Sequence, residues 1–150
     1  MNDFEKRALA NIDACQDLDA LRIILKNARG KSAEVEKAAF AKIVQLSAVD
    51  CDDGVARDCW EMIYAVEELR RLERGRRAPM NRLRRKIEKD GERVSLEYLA
   101  LHKSEGFQEV VDYGFPELLA EKIVLKHGHP VFSEKAVAAA KQRLHDANLL

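Results

Sequence analysis

The residues with the clearest chemical capacity are basic. Between positions 70 and 89 stand Arg70, Arg71, Arg74, Arg76, Arg77, Arg82, Arg84, Arg85, Lys86 and Lys89, opposed only by Glu73 and Glu88, in a chain whose formal net charge is zero. The rest of the chain must carry the matching acidic excess, so the protein is electrically polarised. On a helix, Arg82, Arg85, Lys86 and Lys89 fall at i, i+3, i+4 and i+7 and share one face, while Leu83 and Ile87 point the other way. A phosphate backbone would find forked donors there, because a guanidinium binds two oxygens at once. Arg70, Arg71, Arg74, Arg76, Arg77, Arg82, Arg85, Lys86 and Lys89 are therefore the candidate contacts for nucleic acid or for an acidic protein surface. The plainer reading is a solvated face balanced by the protein's own carboxylates, such as Asp50, Asp52 and Asp53.

Other patterns carry less chemistry. The segments around Asp90-Gly91-Glu92 have the outline of a helix-turn-helix, but the second offers Glu97, His102 and Lys103 in place of a row of base-reading side chains. Any DNA contact would then run mainly from the basic first helix to phosphates. His127 and His129 flank Gly128, and Cys51 and Cys59 are far apart, so neither pair has the close spacing of a zinc module and no metal ligand is assigned. Asp50, Asp52 and Gly54 hint at a calcium loop, yet the glycine is not at the sixth position, which favours helix capping. The three cysteines do not form a disulfide framework and read as small apolar side chains. No Gly-rich phosphate loop, Gly-x-Ser-x-Gly elbow or supported Cys-His pair occurs, so no catalytic residue and no cofactor is expected and the chain reads as non-enzymatic.

In the C-terminal third, Phe107, Val110 and Tyr113 precede the loop Tyr113-Gly114-Phe115, Ala120 follows, and Gly128 closes the next helix. Residues 104–149 thereby resemble the ubiquitin-associated (UBA) three-helix domain, whose Met-Gly-Phe loop corresponds to Tyr113-Gly114-Phe115, with Tyr in place of Met and a second turn lengthened by Pro130 to Phe132. The resemblance implies a small three-helix fold that presents Gly114 and Phe115 to a protein partner. The wider pattern also looks like small uncharacterised bacterial helical proteins.

The elements that must position these residues are helices throughout. Apolar residues recur with helical period and no stretch sustains a period of two. Phe4, Ala8, Ile12 and Cys15 mark a first helix, and Leu18, Leu21, Leu25 and Ala28 a second, capped by Asp17 and closed by Gly30. A third follows from Ser32, with Val35, Ala39, Ile43 and Leu46 inward. After a break at AVDCDDG, where Asp52 or Asp53 can cap, a long helix over 54–74 carries Val55, Cys59, Met62, Val66 and Leu69, with Trp60, Ile63 and Tyr64 widening its apolar face. Further helices are predicted over NRLRRKIEKDG, over SLEYLALHK from Ser95, over EGFQEVVDYG, over PELLAEKIVLKHG with Pro116 in its first turn, and over SEKAVAAAKQRLHDANL from Ser133. The expected fold is all-α, a compact bundle of about nine helices around one long central helix, with Trp60 and Phe40 in the core. A single domain over 1–150 is expected, with a possible subdivision into 1–91 and 104–149.

At 150 residues, 47% apolar and 35% charged, the chain is large enough for one core. No run approaches the ~20 apolar residues of a membrane span, and the start MNDFEKRALANIDACQ lacks the basic and then apolar pattern of a leader, so a cytoplasmic location is expected. The leading expectation is a binding protein for nucleic-acid phosphates. The alternative is an adaptor or inhibitor that engages a protein through the basic surface or through Tyr113, Gly114 and Phe115.

Overall fold

The computed structural model describes residues 2–48, 51 and 54–150. Among them are nine α-helices, a single 3₁₀ turn and no strand. No described helix is long and apolar enough to cross a membrane. Two compact units are present, Met1–Asp50 and Cys51–Leu150. The helices before and after residues 91–104 share the core of the second unit.

The first unit contains α1 (Asp3–Ala14), α2 (Leu18–Ala28) and α3 (Ala33–Ser47). Each helix begins where a side chain accepts an otherwise unpaired backbone N–H. Asn2 Oδ1 accepts from Glu5 at 2.8 Å, Asp17 Oδ1 from Asp19 at 2.9 Å, and Ser32 Oγ from Val35 at 3.3 Å. Leu21, Leu25, Val35, Phe40 and Ile43 form the buried interior, as their spacing implied. The stripe expected on α1 is narrower than its sequence, because Ile12 is buried while Phe4 is 74% exposed. α1 packs mainly against α3, and a helix with a single main neighbour covers only a strip of its surface.

The second unit contains α4 (Gly54–Arg74), α5 (Asn81–Asp90), α6 (Glu92–Leu101), α7 (Glu105–Tyr113), the 3₁₀ turn (Pro116–Leu118), α8 (Ala120–His127) and α9 (Glu134–Asp146). α4 is the longest, with its 21 residues spanning roughly 30 Å. It buries Cys59, Met62, Ile63, Ala65, Val66, Glu68 and Leu69. α6 packs on four helices, α4, α5, α8 and α9. Its small and branched side chains explain that position, since Ser95, Leu96 and Ala100 are fully buried and let four helices approach.

Three helix boundaries differ from those the sequence suggests. α6 starts at Glu92, and Ser95 lies inside it, its hydroxyl donating to the Gly91 carbonyl at 2.7 Å. Gly91 makes this possible, because at φ +88 it joins the two helices through a single residue, in a conformation an L side chain rarely adopts. The segment after Pro116 divides in two, the 3₁₀ turn being followed by Leu119 in extended backbone, which sends Leu119 into the core before α8 begins. In the second helix, Arg29 is the cap and Gly30 follows at φ +77. Asp52 and Asp53, expected to cap α4, lie outside the described residues, as does Asp50 of the suggested calcium loop.

Trp60, expected in the core, is only half-buried, and its indole N–H donates to Glu92 Oε1 at 3.1 Å. The aromatic that fills the second unit's core is Phe132, fully buried just before the Ser133 cap of α9. Phe132→Ala should therefore lower stability by ~3–5 kcal/mol, the range for emptying a buried aromatic site. Trp60→Ala should cost distinctly less, both measured by urea denaturation followed by circular dichroism.

Candidate nucleic-acid interface

The basic segment is built on two arginines that face inward. Arg70 on α4 donates from Nε and Nη2 to the two carboxylate oxygens of Glu109 on α7, at 2.6 and 3.1 Å, and from Nη1 to the Ala78 carbonyl at 3.1 Å. Arg84 on α5 donates from Nε and Nη2 to the Glu67 carboxylate at 2.8 and 2.6 Å. The same carboxylate accepts the Met80 N–H at 2.8 Å, immediately before α5. The Arg84 guanidinium also lies over the Trp60 and Tyr64 rings, 5.3 and 5.7 Å from their centroids. Burial acts to raise the Glu67 carboxyl, but the Arg84 and Met80 hydrogen bonds and the charges of Arg84 and Arg77 hold it below its usual range. The hydrogen bond from Arg70 does the same for Glu109 against a smaller burial effect.

With those two anchored, the other cations divide into two groups. Arg71 lies 3.9 Å from Glu68, and Lys86 pairs with Asp90 at 3.0 Å. Arg74, Arg76, Arg77, Arg82, Arg85 and Lys89 are exposed, and among the described residues none of them makes an ion pair. Arg82, Arg85 and Lys89 occupy the outward side of α5, opposite buried Leu83 and Ile87, as their spacing predicted. Arg71 and Arg74 sit in the last turn of α4, where the helix dipole favours a cation. The reverse holds at α5, whose first turn carries no acidic residue and no side-chain cap although Arg82 and Arg84 stand there, at the positive end of the dipole. Glu67 is the carboxylate that offsets this, and it is already bonded to Arg84 and Met80.

Comparison with known proteins finds no family model, no curated protein and no solved structure that matches this chain.

Away from the basic segment, Tyr113-Gly114-Phe115 leads out of the C-terminal end of α7. Tyr113 Oη donates to Glu109 at 3.5 Å, Gly114 is exposed and left-handed at φ +84, and Phe115 is half-buried. Residues 104–149 contain α7, α8 and α9, of which α8 and α9 pack on each other and both pack on α6. His127 bonds Asp58 at 2.7 Å, with Lys126 on the same carboxylate oxygen at 2.9 Å. Burial pushes the Cys59 thiol up to about 12, with Glu92 and Cys51 adding to the effect, so it behaves as an apolar side chain. Among the described residues no group of three or more His, Cys, Asp or Glu is placed to hold a metal ion.

Two features of the interface were missed in the sequence. Arg70 was grouped with the candidate contacts although Glu109 anchors it, and Arg84, left out of that group, was not read as the partner of Glu67, although its place on the Leu83–Ile87 side of the helix was a usable signal. The stack of Tyr98 on His102, with ring centroids 4.2 Å apart, follows from an i, i+4 spacing that drew no attention.

Because Glu67 sits below its ordinary value of 4.5, the stabilisation it provides is complete above that pH and is lost as pH falls through the lower folded value. Glu67→Gln should therefore destabilise the protein by ~1.5–3 kcal/mol at neutral pH, the range for hydrogen bonds to a charged group. The gap between the two proteins in urea midpoint should narrow steadily below pH 4.5.

Proposed function

We propose that this is a non-enzymatic, cytoplasmic binding protein that holds nucleic-acid phosphates on the outward side of α5 and the turn before it. The observation that carries this reading is the row Arg82, Arg85 and Lys89, exposed and unpaired among the described residues, together with Arg76 and Arg77 in the preceding turn. Arg82 stands in the first turn of α5, where a cation is locally unfavourable by ~0.3–1 kcal/mol, and a bound phosphate would relieve that cost. Arg82 and Lys89 are seven positions apart, roughly 10 Å along the helix, so the row can follow a chain of phosphates and is too extended for a single anion. An acidic protein surface could use the same cations, with Gly114 and Phe115 as its further contact, and this second reading is separated from the first by the salt dependence of DNA binding.

Replacing Arg82, Arg85 and Lys89 together with Glu should leave the fold intact, because all three are exposed, and Lys86 is left in place because Asp90 holds it. Nucleic-acid affinity should then fall alike for every base sequence. The slope of log affinity against log salt should shallow by about 0.7–0.9 for each lost phosphate contact, from single strand to duplex. If the unsubstituted protein binds no nucleic acid at low salt, the phosphate reading is overturned.

A further inference from the structure

A charged row by itself suits any polyanion, and what lies beside it on α6 narrows the ligand. Val94, Tyr98 and His102 recur every four positions along α6 and its cap, so they share one side of the helix. That side faces outward, with Tyr98 46% and Val94 36% exposed and His102 exposed as well. Tyr98 and His102 are stacked at an interplanar angle of 26°, and His102 Nδ1 lies 3.0 Å from the Tyr98 carbonyl oxygen, which orients the imidazole. The stack adjoins the basic side of α5 directly, because Lys86 Nζ lies 4.5 Å from the centre of the Tyr98 ring. In α5, Lys86 is one residue from Arg85, three from Lys89 and four from Arg82.

An aromatic row on the surface contributes little to this fold, since its rings are not among the residues that fill the core. An aromatic pair bordered by cations is instead the combination a single strand calls for. Its bases are free to stack on aromatic rings while its phosphates meet the cations, whereas a duplex keeps its base faces within its own stack. We propose that the ligand of this surface is single-stranded nucleic acid, a base stacked on the exposed His102 side of the Tyr98–His102 pair, since Lys86 already lies over the Tyr98 ring, and its phosphates on Arg82, Arg85 and Lys89. This rests on the phosphate-binding reading given above and adds to it the form of the strand.

The test is fluorescence anisotropy of labelled oligothymidylate and of a duplex of equal length, titrated with the whole protein across a salt series. The single strand should bind more tightly than the duplex. Tyr98→Leu keeps the bulk but removes the ring that backs His102, and should weaken the single strand about 5- to 100-fold, the range for losing one stacked base, with the salt slope unchanged. Tyr98→Phe keeps the ring and should bind as the unsubstituted protein does, which also guards against an effect of misfolding. Duplex affinity should be the same in all three proteins. If the duplex binds as tightly as the single strand, or if Tyr98→Leu changes neither, the stacking proposal is overturned while the phosphate reading stands. Binding to neither probe at low salt overturns both.

Discussion

The arrangement of the second unit depends on the carboxylate of Glu67. It receives both forks of Arg84 and the backbone N–H of Met80, so one side chain of α4 fixes the side chain and the entry point of α5 together. A helix that starts at a set point and has one side chain pinned has no freedom to rotate about its axis. Leu83 and Ile87 are thereby directed into the core, and Arg82, Arg85 and Lys89 away from it. The guanidinium plane over Trp60 and Tyr64 completes the clamp from the apolar side, which a lysine could not do, lacking both the fork and the flat face.

Similar logic recurs wherever a charge is taken out of water. Arg70 and Glu109 join α4 to α7 through two parallel hydrogen bonds, and the third donor of Arg70 holds the Ala78 carbonyl in the turn between α4 and α5. Arg143 on α9 donates to buried Glu121 on α8 at 2.6 Å and to the Leu99 carbonyl of α6 at 3.0 Å, tying three helices at one guanidinium. Ion pairs of this kind add little net stability over a well-packed apolar replacement, but removing one member leaves a buried charge exposed to full desolvation cost. Their effect is therefore on orientation more than on stability. Among the described residues no buried side-chain nitrogen or oxygen lacks a partner, consistent with a fold in which each inward charge has a fixed place.

The contrast with the outward cations gives the surface its character. Of the charge run, Arg70, Arg71, Arg84 and Lys86 are paired within the protein, and the other six cations make no ion pair among the described residues. Arg84 and Arg85 are adjacent in sequence and belong to opposite classes, since successive residues of a helix differ by about 100° in direction. The row that remains lies next to Tyr98, whose ring is approached by Lys86, so positive charge and an aromatic surface meet at the α5–α6 junction. That junction is sharp because Gly91 alone separates the two helices.

By itself the sequence determined the secondary structure and much of the capping. The period of Leu21, Leu25, Val35, Ile43, Leu83 and Ile87, together with Asp17, Ser32 and Ser133 ahead of their helices, set the all-α class and the outward direction of Arg82, Arg85 and Lys89, because these are properties of a helix and its own ends. Where boundaries moved, a distant contact had intervened. Ser95 entered α6 as a core residue, and Leu119 broke a helix to reach the interior. Which aromatic fills the core was equally out of reach. Trp60 lies on the apolar face of α4 yet stays half-buried against Arg84 and Glu92, while Phe132, in a turn between helices, is fully enclosed. Only the tertiary structure decided which arginines are anchored, because Glu67 and Arg84 are seventeen positions apart and Arg70 and Glu109 thirty-nine. A sequence records the charge of a side chain, but its partner is chosen by how the helices pack, and that packing is settled by the whole core at once.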